Sequence, residues 1–136
     1  MRKYIKTITI CLSLIILSAC APRMQAAKIS FYENPSTGYM WSIQTDPSVS
    51  VETEYKPNSN DKNLAGGGGQ RTFVLKPSHD GNYHIVFKYE RSWEDDVPEE
   101  LVEYDIEVNN GQITQTYSSY KSKDNQRINA KPLQIH

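Results

Sequence analysis

Cysteine is nearly absent from this 136-residue chain: Cys11 and Cys20 are the only two, both near its start. Everything after Cys20 lacks a thiol, which excludes a disulfide framework, a cysteine zinc site and a cysteine nucleophile there. No stretch sustains an apolar period of 3.6 residues, so a helical bundle has no packing faces to build from. There is no internal repeat, and the one long apolar run, Ile8 to Leu17, is too short to span a bilayer as a permanent helix. Histidine is scarce too. His79 falls at a turn and His84 on the outward side of a strand, with no serine or carboxylate constellation placed beside them, so both are expected in solvent. Glu94, Asp95, Asp96, Glu99 and Glu100 lack the fixed alternating spacing of a calcium loop and read as a soluble loop. Neither a metal nor a cofactor is expected, and nothing marks an enzyme.

Arg2, Lys3 and Lys6 precede the Ile8 to Leu17 run, which is the layout of an export signal. The run ends in Leu17-Ser18-Ala19-Cys20, which resembles the lipobox of bacterial lipoproteins, in which the cysteine becomes the lipidated first residue of the mature chain. The expectation is a signal over residues 1–19, a lipid anchor at Cys20, and a protein exported to a bacterial cell envelope. An ordinary cleaved signal with an incidental cysteine is the alternative. Loss of residues 1–19 removes three of the 15 basic residues and none of the 16 acidic ones, leaving 12 against 16 and a net charge of −4. That argues against nucleic acid as a partner, because affinity there comes mainly from lysine and arginine neutralising phosphates. About 110 residues remain, enough for one small domain with a single core, expected as a monomer.

What the chain has in quantity is a period of two. Val49, Val51, Thr53 and Tyr55 alternate with Ser50, Glu52 and Glu54; Val102, Tyr104, Ile106 and Val108 alternate with Glu103, Asp105 and Glu107. Tyr83, Ile85, Phe87 and Tyr89 make the strongest apolar face. Further strands read over 28–33, 39–44, 70–76 and 112–120. Asp46-Pro47 and His79-Asp80-Gly81-Asn82 are turn signals, and Asn110-Gly111 predicts a hairpin, since both central positions of a type I′ turn need positive φ. Seven to eight short strands at spacings of roughly ten residues predict an all-β, immunoglobulin-like antiparallel β-sandwich. Without the antibody disulfide the fold must rest on aromatics such as Trp41, Phe73, Tyr83 and Phe87, each contributing about 1.5–3 kcal/mol on burial. The expected layout is a tether over residues 20–27, the sandwich over 28–120 and a polar tail over 121–136.

Three stretches exceed what a sandwich needs for its own sake. Asn34-Pro35-Ser36-Thr37-Gly38 must bend: the proline fixes its own φ and pushes Asn34 out of the helical region, while Gly38 permits a left-handed closing residue. Ser36 and Thr37 are left at the tip, and the Tyr39 to Gln44 strand, with Trp41 in the core, forms the stem. Gly66-Gly67-Gly68-Gly69 follows a long polar connection. A flexible connection is the bland alternative; a phosphate cradle is not expected, since neither a lysine-serine nor a lysine-threonine pair follows and no helix opens. Arg91-Ser92-Trp93 precedes the acidic run, in a loop context where burial of Trp93 is not expected; a buried hinge tryptophan is the alternative. In an immunoglobulin-like sandwich alternate connections gather at one end, so three loops can form one surface.

In these stretches the sequence resembles the chagasin family, the inhibitors of papain-like cysteine peptidases. Its members carry an Asn-Pro-Thr-Thr-Gly-aromatic loop followed by a tryptophan, a Gly-x-Gly-Gly loop and an Arg-Pro-Trp loop, in that order. Here these read Asn34-Pro35-Ser36-Thr37-Gly38-Tyr39 with Trp41, Gly66-Gly67-Gly68-Gly69, and Arg91-Ser92-Trp93. The resemblance spans roughly Lys28 to Val108. Ser36 replaces a common threonine, and Ser92 replaces a proline that would limit the loop's unbound conformations. The hairpin after Asn110 looks longer than the family core. The resemblance implies a three-part wedge that enters a papain-like cysteine peptidase: the first loop at the catalytic cysteine and histidine, the glycine loop along the substrate groove, Trp93 on the other flank. A structural or adhesive immunoglobulin-like surface lipoprotein, binding a non-peptidase partner, is the alternative from another class.

Overall fold

The structure, a computed structural model, describes residues 21–58, 66–95, 97–124 and 127–136. The expected signal, the lipid anchor at Cys20 and one member of the acidic run, Asp96, lie outside the described residues. The period of two is realised as strands β1 (Ala27–Glu33), β2 (Met40–Gln44), β3 (Val49–Pro57), β4 (Gly69–Pro77), β5 (Gly81–Glu90), β6 (Glu100–Asn109) and β7 (Gln112–Ser122), followed by the two-residue strands β8 (Arg127–Ile128) and β9 (Gln134–Ile135). They form two antiparallel sheets, ordered β3-β4-β1-β9 and β2-β5-β6-β7-β8. This is the immunoglobulin-like sandwich that the alternation predicts. Trp41, Phe73, Tyr83 and Phe87 are all buried, beside Ile85, Val102, Tyr104, Ile106 and Val108. Asn110 and Gly111 take φ of 51° and 75°, and their N–H groups both donate to the Asp80 carboxylate, at 2.7 and 2.9 Å.

Register decides where the loops go. In one sheet Gly69 lies opposite both Glu33 and Pro57; in the other Met40 lies opposite Glu90, and Tyr89 opposite Glu100. The β1–β2, β3–β4 and β5–β6 connections therefore leave from one pole. The opposite pole carries the Asp46 to Ser48 turn, the Pro77 to Gly81 turn and the Asn110-Gly111 hairpin.

Two segments that read as flanking pieces are packed. Parts of the expected polar tail are packed: β7 runs on through Lys121 and Ser122, and Ala130 and Leu133 are buried in the core. β9 then returns to the first sheet, pairing Ile135 with Ala27 and Gln134 with Lys28. The Leu133 N–H donates to Gln115 Oε1 at 2.9 Å, and the Tyr104 hydroxyl donates to the Lys131 carbonyl at 2.5 Å. At the other end Ala27 has no exposed surface, the Gln25 N–H donates to the Gly111 carbonyl at 2.8 Å, and Ala26 exchanges two backbone hydrogen bonds with His136. The expected tether is thus pinned from Gln25 onward, at the pole away from the three loops.

Candidate functional site

The first loop closes on itself for the reasons its residues dictate. Asn34 is extended at φ −123° and ψ 91°, as a residue before proline should be, and its side-chain oxygen accepts from the Ser36 N–H and, at 2.7 Å, from the Ser36 hydroxyl. Pro35–Thr37 make one 3₁₀ turn, and Gly38, at φ 83°, returns its N–H to the Pro35 carbonyl at 3.0 Å. The Thr37 hydroxyl donates to the Asn34 carbonyl at 2.7 Å. Pro35, Ser36 and Thr37 are left exposed at the tip.

The other two loops are joined to this one. On one side the Asn34 side-chain amide donates to the Gly66 carbonyl at 3.1 Å, while the Asn58 N–H donates to the Gly68 carbonyl and holds the glycine segment against β3. Across the loop, Arg91 Nε donates to the Thr37 carbonyl at 3.2 Å and Nη1 to Glu94 Oε1 at 2.9 Å, with the guanidinium 4.4 Å from the Tyr39 ring centre. The hydrogen bond to Glu94 raises the Arg91 pKa above its ordinary value, so the clamp stays charged. Trp93 lies over Gly38: a Cβ there would fall 2.5 Å from the indole Cη2, so only glycine allows the contact. Trp93 is 67% exposed, which settles the choice between loop and buried hinge. Ser92 is exposed beside it.

Beneath the loops the stem is stiff. Trp41 stacks on Phe31 at 4.1 Å between ring centres and on Tyr89 at 5.1 Å, and Tyr89 in turn meets Tyr39 at 5.4 Å. Phe31 continues into Phe73 and Phe87, so a column of rings runs from the core to the base of Arg91. Glu33, fully buried at the end of β1, accepts the Trp41 N–H at 2.8 Å and two nitrogens of Arg71, the closer at 2.7 Å. One carboxylate thereby ties β1, β2 and β4 together under the first loop. Tyr39 adds a last tie through its hydroxyl to Glu99, which also pairs with Lys123 at 2.8 Å. The hydrogen bond from Lys123 is the main cause holding the Glu99 carboxyl below its usual range.

All three predicted loops come together at this pole. Sequence reasoning missed what supports them: Glu33, Arg71, Tyr39's partner Glu99, and Tyr32. A signal for Glu33 was there, since it shares the β1 face of Ile29 and Phe31, where a carboxylate demands a partner. His84 is exposed on the outer face of its sheet, with Nδ1 2.6 Å from Asp105, and His79 sits at the far pole. Among the described residues no cluster of three or more metal-ligating side chains occurs.

The fold and this pole define an immunoglobulin-like sandwich of the loop-presenting class. The chain belongs to the chagasin family: residues 21–108 match the model described as Chagasin family peptidase inhibitor I42, a family of inhibitors and not of enzymes. Among curated proteins the chain is similar to Amoebiasin-1 of Entamoeba histolytica, at 29% identity over 66 residues, 48% of this chain and 65% of that protein. It thus spans just under two thirds of that relative's length. Among solved structures it is similar to the cysteine protease inhibitor EhICP2 from Entamoeba histolytica, with a TM-score of 0.55 and 29% identity, covering 62% of this chain and 78% of the other.

Proposed function

We propose that this protein is a reversible inhibitor of papain-like cysteine peptidases that fills the active-site cleft with its three loops. The observation that carries the reading is that the loops are already joined in the free protein, through Asn34 to Gly66, Arg91 to Thr37 and Trp93 on Gly38. A surface ordered before binding loses little conformational entropy on binding. In this reading Ser36 and Thr37 reach the catalytic cysteine and histidine. The Gly66 to Gly69 backbone runs along the substrate groove and makes main-chain hydrogen bonds, which glycine permits because it has no Cβ to hold the groove wall off. Trp93 and Arg91 cover the opposite flank, and these are residue types that often dominate interface energy. The first loop resists cleavage because its peptide groups are turned inward by the Asn34 and Pro35 hydrogen bonds, out of the extended geometry that attack requires.

The same proposal places the protein at a bacterial envelope membrane through a lipid on Cys20, as a monomer. With Gln25 pinned at the far pole, an anchor on Cys20 would leave the loop pole unobstructed. The test is protection of the enzyme's catalytic cysteine. Papain preincubated with the protein should resist a small thiol-alkylating reagent and regain full reactivity on dilution. Alkylation at the unprotected rate, with the protein folded and in excess, would remove the reading.

A further inference from the structure

Three glycines of the loop surface have no room for a side chain: at Gly69 the β3 backbone at Lys56 and Pro57 lies in the way, and at Gly38 and Gly68 an aromatic ring occupies the space. At Gly38 the ring is Trp93. At Gly68 it is Tyr32, whose ring and hydroxyl overlap the position a Cβ would take, with Cε2 at 2.6 Å. Tyr32 lies outside the three motifs, at the loop end of β1, and is 55% exposed. Its backbone is fixed on every side: it pairs with Gln70 of β4, its carbonyl accepts the Trp41 indole N–H at 2.8 Å, and its neighbours Phe31 and Glu33 are locked into the ring column and the Arg71 ion pair. The first loop is bonded to Gly66, in the glycine segment that Tyr32 meets, and to Arg91, two residues before Trp93.

A ring laid against a glycine backbone holds that backbone to one path, and a tyrosine with a fixed main chain offers an apolar contact face at small entropic cost. Resting on the inhibitor reading above, we propose that Tyr32 is a fourth, specificity-determining contact: it holds the glycine loop flat and lays its ring against an apolar wall of the peptidase beside the substrate groove. Peptidases differing in that wall should then be distinguished by Tyr32.

The experiment compares the wild type, Tyr32→Ala and Tyr32→Phe in inhibition of papain and of cathepsin L, and in ¹⁵N backbone order parameters at Gly67 and Gly68 of the free protein. Tyr32→Ala should raise Ki by about tenfold or more, unequally for the two enzymes, as loss of an aromatic anchor does. It should also lower the two order parameters from the rigid range near 0.85 towards the flexible range below about 0.6. Tyr32→Phe should leave both readouts close to wild type, which separates loss of the ring from misfolding. Unchanged Ki for Tyr32→Ala on both enzymes overturns the contact, and unchanged order parameters overturn the positioning. If the wild type inhibits neither enzyme, the inhibitor reading fails and the contact with it, while the order parameters still decide whether Tyr32 holds the loop.

Discussion

At the scale of single residues, Glu33 carries the most. Its carboxylate has no exposed surface and is matched by Arg71 and the Trp41 N–H, so removing it strands a partly buried guanidinium and a buried amide. Glu33→Ala should cost about 3 kcal/mol, the range for breaking a buried pair, read as a lower urea midpoint with an unchanged slope. Gly38→Ala meets two obstacles, a φ of 83° and the Trp93 ring. Alanine in the left-handed region costs about 1 kcal/mol or more, and the displaced indole should become easier for acrylamide to quench. Glu99 sets a pH expectation. Because its folded pKa is lowered from the ordinary 4.5, mainly by the Lys123 hydrogen bond, its contribution is complete above that value and is lost only as pH falls through the lower, folded one. The tie from Tyr39 to Glu99 should therefore survive mild acid, and an NMR titration of the Glu99 carboxyl should give a midpoint below 4.5.

At the scale of elements, the third loop is held by one side chain. Ser92 stands where the motif this loop resembles has proline, and the loop is held by Arg91, which grips Thr37, Glu94 and the Tyr39 ring together. Arg91→Ala should free the loop and raise Ki for papain by about tenfold, with little change in melting temperature because the residue is partly exposed. The C-terminal segment acts on stability. Leu133 is buried among core residues, so Leu133→Ala should cost about 2–5 kcal/mol in chemical denaturation. The main strands were legible because each buries one face, which writes a period of two into runs such as Tyr83 to Tyr89. The last segment was not, because two-residue strands leave no period: Ala130, Leu133 and Ile135 stand singly among polar neighbours. Turn chemistry made the three loops legible, through Asn34-Pro35, the glycine run and the exposed Trp93. Their supports were less so, since Tyr32 and Gly68 are distant in sequence and meet only through the pairing of β1 with β4.

For the whole molecule the arrangement separates tasks by pole. The far pole holds the pinned N-terminal segment and the Asp80-capped hairpin; the near pole holds the loops over a column of aromatic rings. Nothing in the proposed inhibition asks this protein to make or break a bond, so its effect should be stoichiometric and should reverse on dilution. The measurement that tests this most directly is a titration of papain with the purified protein, following hydrolysis of a small fluorogenic substrate. Competitive, reversible loss of activity reaching completion at one molecule per enzyme, and sharply weakened by Trp93→Ala, is the predicted result. Full papain activity in the presence of micromolar folded protein would contradict it and leave the three loops as a surface for some other partner.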